Sequence, residues 1–154
     1  MQVESKLSSM GLSLPQLPGS KGIYKSCLQV GNLVYVSGHV SIETDGSFIR
    51  GKLGLDVTDE EGMIAARQCG LAMLTSLKKF LGDLDRIKSV VKLLGMVNAT
   101  PEYTNHPVII NGCSTLFADI WGDQGIGVRS AVGMGSLPGN VAVEIEGIFE
   151  IHMP

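Results

Sequence analysis

A chain of 154 residues, 44% of them hydrophobic, is long enough to bury a core of its own and needs no second unit, so residues 1–154 read as one domain. Its formal net charge of −3 offers no basic face, which argues against a nucleic-acid partner. The three cysteines, Cys27, Cys69 and Cys113, are odd in number and widely spaced without a Cys-x-x-Cys pair, so they indicate neither a disulfide framework nor a zinc site and read as reduced core residues.

The N-terminus, MQVESKLSSMGLSLPQLPG, carries acidic and polar residues where a secretory signal needs an unbroken apolar run, and no stretch reaches membrane-spanning length. A cytoplasmic location and no membrane partner are expected. Val3, Leu7 and Met10 fall on one face of a short helix over 2–11, ending at Gly11, and Pro15, Pro18, Gly19 and Gly22 then make a loop. From Ile23 to Ser37 the pattern is strand, Gly31-Asn32 turn, strand. Both faces of the second strand are fairly apolar, so its sheet needs two covers, one from its own helices and one from a second copy of the chain.

Residues 39–57, with His39, an Asp45-Gly46 turn and Arg50-Gly51-Lys52-Leu53-Gly54, read as a mobile loop rather than a core element. Thr58-Asp59-Glu60-Glu61 has the form of a capping box and predicts a helix over 59–81, with Ile64, Leu71, Leu74, Leu77 and Leu81 along one stripe. Ile87–Asn98 is mostly continuous apolar sequence and predicts a central strand. Pro107 opens a second long helix that runs through Trp121 and closes at Gly122. Asn111 lies off its buried stripe of Ile109, Cys113, Leu116 and Ile120, free to point at a neighbouring surface.

Residues 127–151 read as two strands joined by a turn at Leu137-Pro138-Gly139-Asn140. Arg129 stands near the start of the first. In the second, Glu144 and Glu146 share the face opposite Val143 and Ile145, so this hairpin is expected to place Arg129 and Glu144 along one pocket wall. A guanidinium fork grips a carboxylate and a nearby carboxylate orients water, which suits attack by water on a small acid. A cross-strand ion pair on a solvated face is the plainer alternative. The order β-β-α-β-α-β-β, without repeated β-α-β alternation, predicts an α+β fold with a mixed or antiparallel sheet covered by two helices.

Several strings, in order, resemble the RidA (YjgF) family of enamine and imine deaminases. They are Tyr24 ahead of Val30-Gly31-Asn32-Leu33-Val34-Tyr35-Val36-Ser37-Gly38, the helical Asn111, and Arg129-Ser130 followed by Leu137-Pro138 and Val143-Glu144-Ile145-Glu146. The resemblance spans residues 20–152 and leaves 1–20 as an N-terminal extension that caps the packing. It implies a chorismate-mutase-like fold, a homotrimer with pockets between subunits, and hydrolysis of small 2-imino or 2-enamino acids to 2-keto acids and ammonia without a cofactor or metal. Arg129 would then hold the substrate carboxylate and Glu144 the attacking water. Tyr24 would close the pocket, Ser37 and the Gly38 amide would hold water or the substrate nitrogen, and Asn111 would bond the ligand or order its pocket. Ser130 is more plausible as a strand hydroxyl than as a nucleophile, since His39, His106 and His152 show no triad or ligand spacing. The family's usual Cys after Arg-Ser is Ala131 here, and its Pro two residues before the Arg is Gly127. Two other activities fit the same resemblance: binding a small carboxylate without turnover, and the RNA cleavage with translation inhibition of some relatives.

Overall fold

The computed structural model describes residues 2–154. Its five-stranded sheet consists of β1 (Cys27–Val30), β2 (Leu33–Val40), β3 (Ile87–Asn98), β4 (Val128–Met134) and β5 (Val143–Ile151), in the order β1-β2-β5-β3-β4. Only β3 and β4 run parallel; the other neighbours are antiparallel, which makes the sheet mixed, as expected.

The helices α1 (Gln2–Ser9), α2 (Asp59–Leu81) and α3 (His106–Trp121) account for the remaining regular structure. The predicted capping box starts α2: Thr58 Oγ1 accepts from the Glu61 amide while Glu61 reaches back to the Thr58 amide. Gly112 lets α3 approach α2 closely, because a side chain there would collide with the Met63 carbonyl. α2 lies against β2 and β5, and α3 against β3 and β4, so both long helices cover the same sheet face. That face and the helices bury Val34, Val36, Leu74, Leu77, Val143 and Ile145, and Phe117 meets Phe149 edge to face with centroids 5.6 Å apart. Cys69 and Cys113 are both fully buried in this core.

α1 is held from both ends. The Asp85 carboxylate accepts from the Gln2 and Val3 amides at its start, and Lys6 Nζ donates to the Ile120 carbonyl at the end of α3. Glu4 pairs with Lys78 of α2.

Three expectations need correction. Residues 127–151 do not form a hairpin: β3 lies between β4 and β5, pairing Leu93 with Arg129 on one side and Met96 with Glu144 on the other. The turn residues Pro138-Gly139-Asn140 mark where the chain bends, and β3, the longest strand, takes a place between two partners. The fully buried Asn98 at the end of β3 seats the connection, donating through Nδ2 to Asn140 Oδ1 and the Val141 carbonyl.

Residues 39–57 are not a loose loop. His39 and Val40 complete β2, and Ser41, Ile42, Gly51, Leu53 and Val57 are buried. Isolated bridges tie Ile42 to Phe48, Arg50 to Val141 and Leu53 to Ala99. Its anchors are too sparse to give a periodic signal, so Gly and polar residues dominate the sequence there. The first strand is also shorter than 23–30, because Ile23 and Tyr24 are exposed and pairing begins at Cys27.

Candidate functional site

Strand parity sets which face each candidate side chain takes. Val143 and Ile145 are fully buried under the helices, so Glu144 and Glu146 between and beyond them point to the open side of the sheet. Arg129 is level with Leu93, and Leu93 with Gly147, which shares the helix-side parity of Ile145. The guanidinium accordingly turns toward α3, donating from Nη1 to Ser114 Oγ at 3.0 Å and from Nη2 to the Pro107 carbonyl at 3.1 Å. Arg129 and Glu144 of one chain thus lie on opposite faces, two strands and three residues apart. That is about 14 Å between backbones, from about 3.3 Å per residue and about 4.8 Å per strand. The expectation that they line one wall fails because β3 separates their strands.

What the structure brings together instead is two separate groupings of candidate residues. At the β4 edge, a cleft of about 270 Å³ is lined by Arg129, Asn111, Ser114, Thr115 and Gly127. Asn111 is exposed, as its place off the apolar stripe predicts, and it shares this cleft with Arg129. Both oxygens that hold Arg129 are neutral, and among the described residues no carboxylate lies within ion-pair distance of it. A guanidinium fixed by neutral acceptors keeps its charge and its remaining N–H groups for an incoming anion.

At the end of β2, Tyr24 and Gly38 line a second cavity of about 340 Å³. The Glu144 carboxylate packs on Gly38, where any side chain would overlap it. Burial, then the neighbouring Glu146, push the Glu144 carboxyl above the ordinary 4.5, and no described residue donates a hydrogen bond to it. An unpartnered, half-buried carboxylate with a raised pKa has the properties of a group that holds and deprotonates water. Ser37 donates its hydroxyl to the Lys25 carbonyl at 2.6 Å, which leaves its oxygen lone pairs available.

Ser130 is exposed beside Leu94 on the open face, away from the Arg129 cleft. His39 faces α2: Nδ1 contacts the Ser37 carbonyl at 2.6 Å and Nε2 contacts Ser76 Oγ at 2.7 Å. Burial lowers its pKa, so the neutral ring donates from Nδ1 and accepts from the Ser76 hydroxyl.

No element among the described residues covers the open face, where Leu28, Tyr35, Leu94, Ile148, Lys92 and Glu146 surround a hollow of about 520 Å³. Leu28 and Tyr35 stay 50% and 44% exposed, which leaves a sheet with one cover where its composition asks for two. Among the described residues no helix is long and apolar enough to cross a membrane.

Sequence reasoning missed Arg50, which lines the same cavity as Tyr24 and Gly38. Its signal was the Phe48-Ile49-Arg50 alternation, since residues i and i+2 of an extended segment share a face. The guanidinium indeed lies 5.0 Å from the centroid of the Phe48 ring.

Comparison with known proteins agrees with this architecture. The model of a family described as "YjgF/chorismate_mutase-like, putative endoribonuclease" matches residues 4–146. The chain belongs to that family, and its mixed sheet under helices is the YjgF/chorismate-mutase-like fold. The match reaches into α1. Protein TCP17 of Trypanosoma cruzi is 36% identical over 152 residues, covering 98% of this chain and 95% of TCP17. The crystal structure of Atu1372 from Agrobacterium tumefaciens, a protein of unknown function, superposes with a TM-score of 0.90 at 38% identity, covering 99% of this chain and 94% of that one. RidA from the Antarctic bacterium Psychrobacter sp. PAMC 21119 shares the fold at a TM-score of 0.61 and 22% identity, over 90% of this chain and 99% of its own. The backbone therefore superposes more closely on Atu1372 than on that RidA.

Proposed function

We propose that the protein hydrolyses small 2-imino acids to 2-keto acids and ammonia, in a site shared between copies of the chain. The observation that carries this reading is the Arg129 guanidinium, held at an open cleft beside Asn111 by neutral oxygens alone. The substrate carboxylate takes its free N–H groups. Because Glu144 lies on the other face, the Arg129 cleft of one chain and the Tyr24, Ser37, Gly38 and Glu144 side of another make one complete site. The uncovered open face, apolar at Leu28, Tyr35, Leu94 and Ile148, supplies the surface for that assembly, for which a closed homotrimer is the simplest ring consistent with the family resemblance.

In the reaction a water oxygen bonds to the imine carbon while the carbon–nitrogen π pair moves onto nitrogen. Glu144 accepts a water proton and returns it to that nitrogen. Glu144 next takes the proton of the new hydroxyl and passes it to the amine; an oxygen lone pair then closes the carbonyl as the carbon–nitrogen bond breaks and its electron pair leaves on ammonia. An imine carbon is already electrophilic, so orientation and charge placement carry most of the rate.

The test follows loss of 2-iminobutanoate, released from threonine by a dehydratase. The wild-type chain should accelerate keto-acid release, and Arg129→Ala should lose on the order of 10²- to 10³-fold in kcat/KM, the cost of removing one partner of a hydrogen-bonded charge pair. Its elution volume should match the wild type. Decay that ignores high concentrations of wild-type protein would leave a carboxylate-binding role in place of catalysis. Activity retained by Arg129→Ala would remove the assignment of that residue.

A further inference from the structure

The cavity of about 340 Å³ lies between the 17–26 loop, the end of β2, and the 42–50 and 138–141 segments. Its charged lining side chains are Lys21 and Arg50, and no Asp or Glu lines it, in a chain with 15 Asp and Glu against 12 Lys and Arg. His39, which also borders it, is held neutral as described above.

Arg50 is oriented rather than merely present. Its Nε donates to the Gly139 carbonyl at 3.0 Å and its guanidinium stacks over Phe48 at 5.0 Å. Among the described residues Nη1 and Nη2 make no hydrogen bond, and no carboxylate stands within ion-pair distance. A planar fork fixed at one nitrogen and along one face, with both terminal nitrogens open, is shaped for a carboxylate or phosphate. Ile42 and Val141, both buried, form apolar walls of the cavity, while the Arg50 and Lys21 side chains stay exposed and open to an incoming anion. An arginine stacked on a surface ring is ordinarily a solvated ornament. Here it stands with a lysine in a concave, acid-free cavity.

That cavity also holds Tyr24 and Gly38, and Gly38 is the residue on which the Glu144 carboxylate packs. We propose that Arg50, assisted by Lys21, forms an anion subsite that reads a second acidic group on the substrate, so that the site prefers 2-imino dicarboxylates to monocarboxylates. This rests on the hydrolase reading for turnover, but anion recognition by Arg50 is testable without it. With Arg129 taking the carboxylate beside the imine, Arg50 takes the distal one.

Two measurements on the full chain test it. Calorimetric titration with 2-oxoglutarate and with 2-oxobutanoate gives the binding preference. Steady-state hydrolysis of the imines formed from glutamate and 2-aminobutanoate by an amino-acid oxidase gives the catalytic preference. The wild type should favour the dicarboxylate by about 10- to 100-fold, the worth of hydrogen bonds to a charged group, and Arg50→Ala and Arg50→Gln should bring that ratio close to one. Unchanged elution volume and far-UV spectrum establish that the variants are folded. Equal wild-type affinity for the two acids, or a preference that both variants retain, overturns the subsite. Arg50-dependent binding with no turnover of either imine supports the subsite and overturns the hydrolase reading. Turnover of the monocarboxylic imine with a ratio indifferent to Arg50 does the reverse.

Discussion

The cleft at the β4 edge and the sheet surface at Gly38 of β2 hold their charges in different ways. Arg129 is braced by a hydroxyl and a carbonyl of α3, so its position is set by a rigid helix and its charge is left unanswered. No donor among the described residues braces Glu144; a missing side chain at Gly38 makes room for it, and burial beside Glu146 raises its proton affinity. In the proposed reaction the first region supplies a cation for an anion and the second a base for water. Neither is a complete site, because the sheet sets them on opposite faces. The lesson is that complementary groups within one chain need not serve one another: in the proposed assembly each is matched to a counterpart on a different copy.

If that is so, two inactive variants should repair each other. Equimolar Arg129→Ala and Glu144→Gln, mixed under conditions that exchange subunits, should recover about one quarter of wild-type activity, since a random ring makes one site in four from two intact halves. Each variant alone should remain at background. No recovery despite exchange, followed by mass spectrometry, would put both groups to work separately.

Gly38→Ala probes the β2 side alone. The added methyl meets the end of a flexible glutamate, so the carboxylate must swing away at a cost below about 1 kcal/mol of stability. Activity should fall by about tenfold, the scale of misplacing a general base, while thermal unfolding barely moves. A variant with wild-type turnover would show that the carboxylate does not need its seat on Gly38.

The smallest effect belongs to Glu144→Gln as a stability variant. A carboxyl whose folded pKa lies above its ordinary value binds its proton more tightly in the folded chain. Its contribution to stability is present below the ordinary 4.5 and is lost as pH rises through the raised value. Gln keeps the shape without the charge, so near neutral pH the variant should melt a few degrees higher than the wild type, and the gain should vanish once the pH drops below that ordinary value. A gain independent of pH between those conditions would mean that burial of the charge is not its source.

Local chemistry made much of the molecule legible before any coordinates. The Thr58–Glu61 capping box begins a helix because a hydroxyl and a carboxylate three residues on satisfy two free amides, an arrangement complete within four residues. The apolar stripe of α3 and the exclusion of Asn111 from it follow from helical period, and the opposed faces of Glu144 and Ile145 follow from strand period. Ordered motifs along the chain were enough to point to the family.

Strand partners were not legible in this way. Residues 127–151 contain two strands and a competent turn, yet nothing within them records that β3 will lie between, because strand order is settled by how the whole sheet packs under its helices. The same holds for Arg50, whose neighbours Phe48, Gly139 and Tyr24 converge from three separate segments. Periodicity and capping act over a few residues and are written into the chain directly. The distance between two charges on different strands depends on every strand laid down between them, so it exists only once the whole sheet has formed.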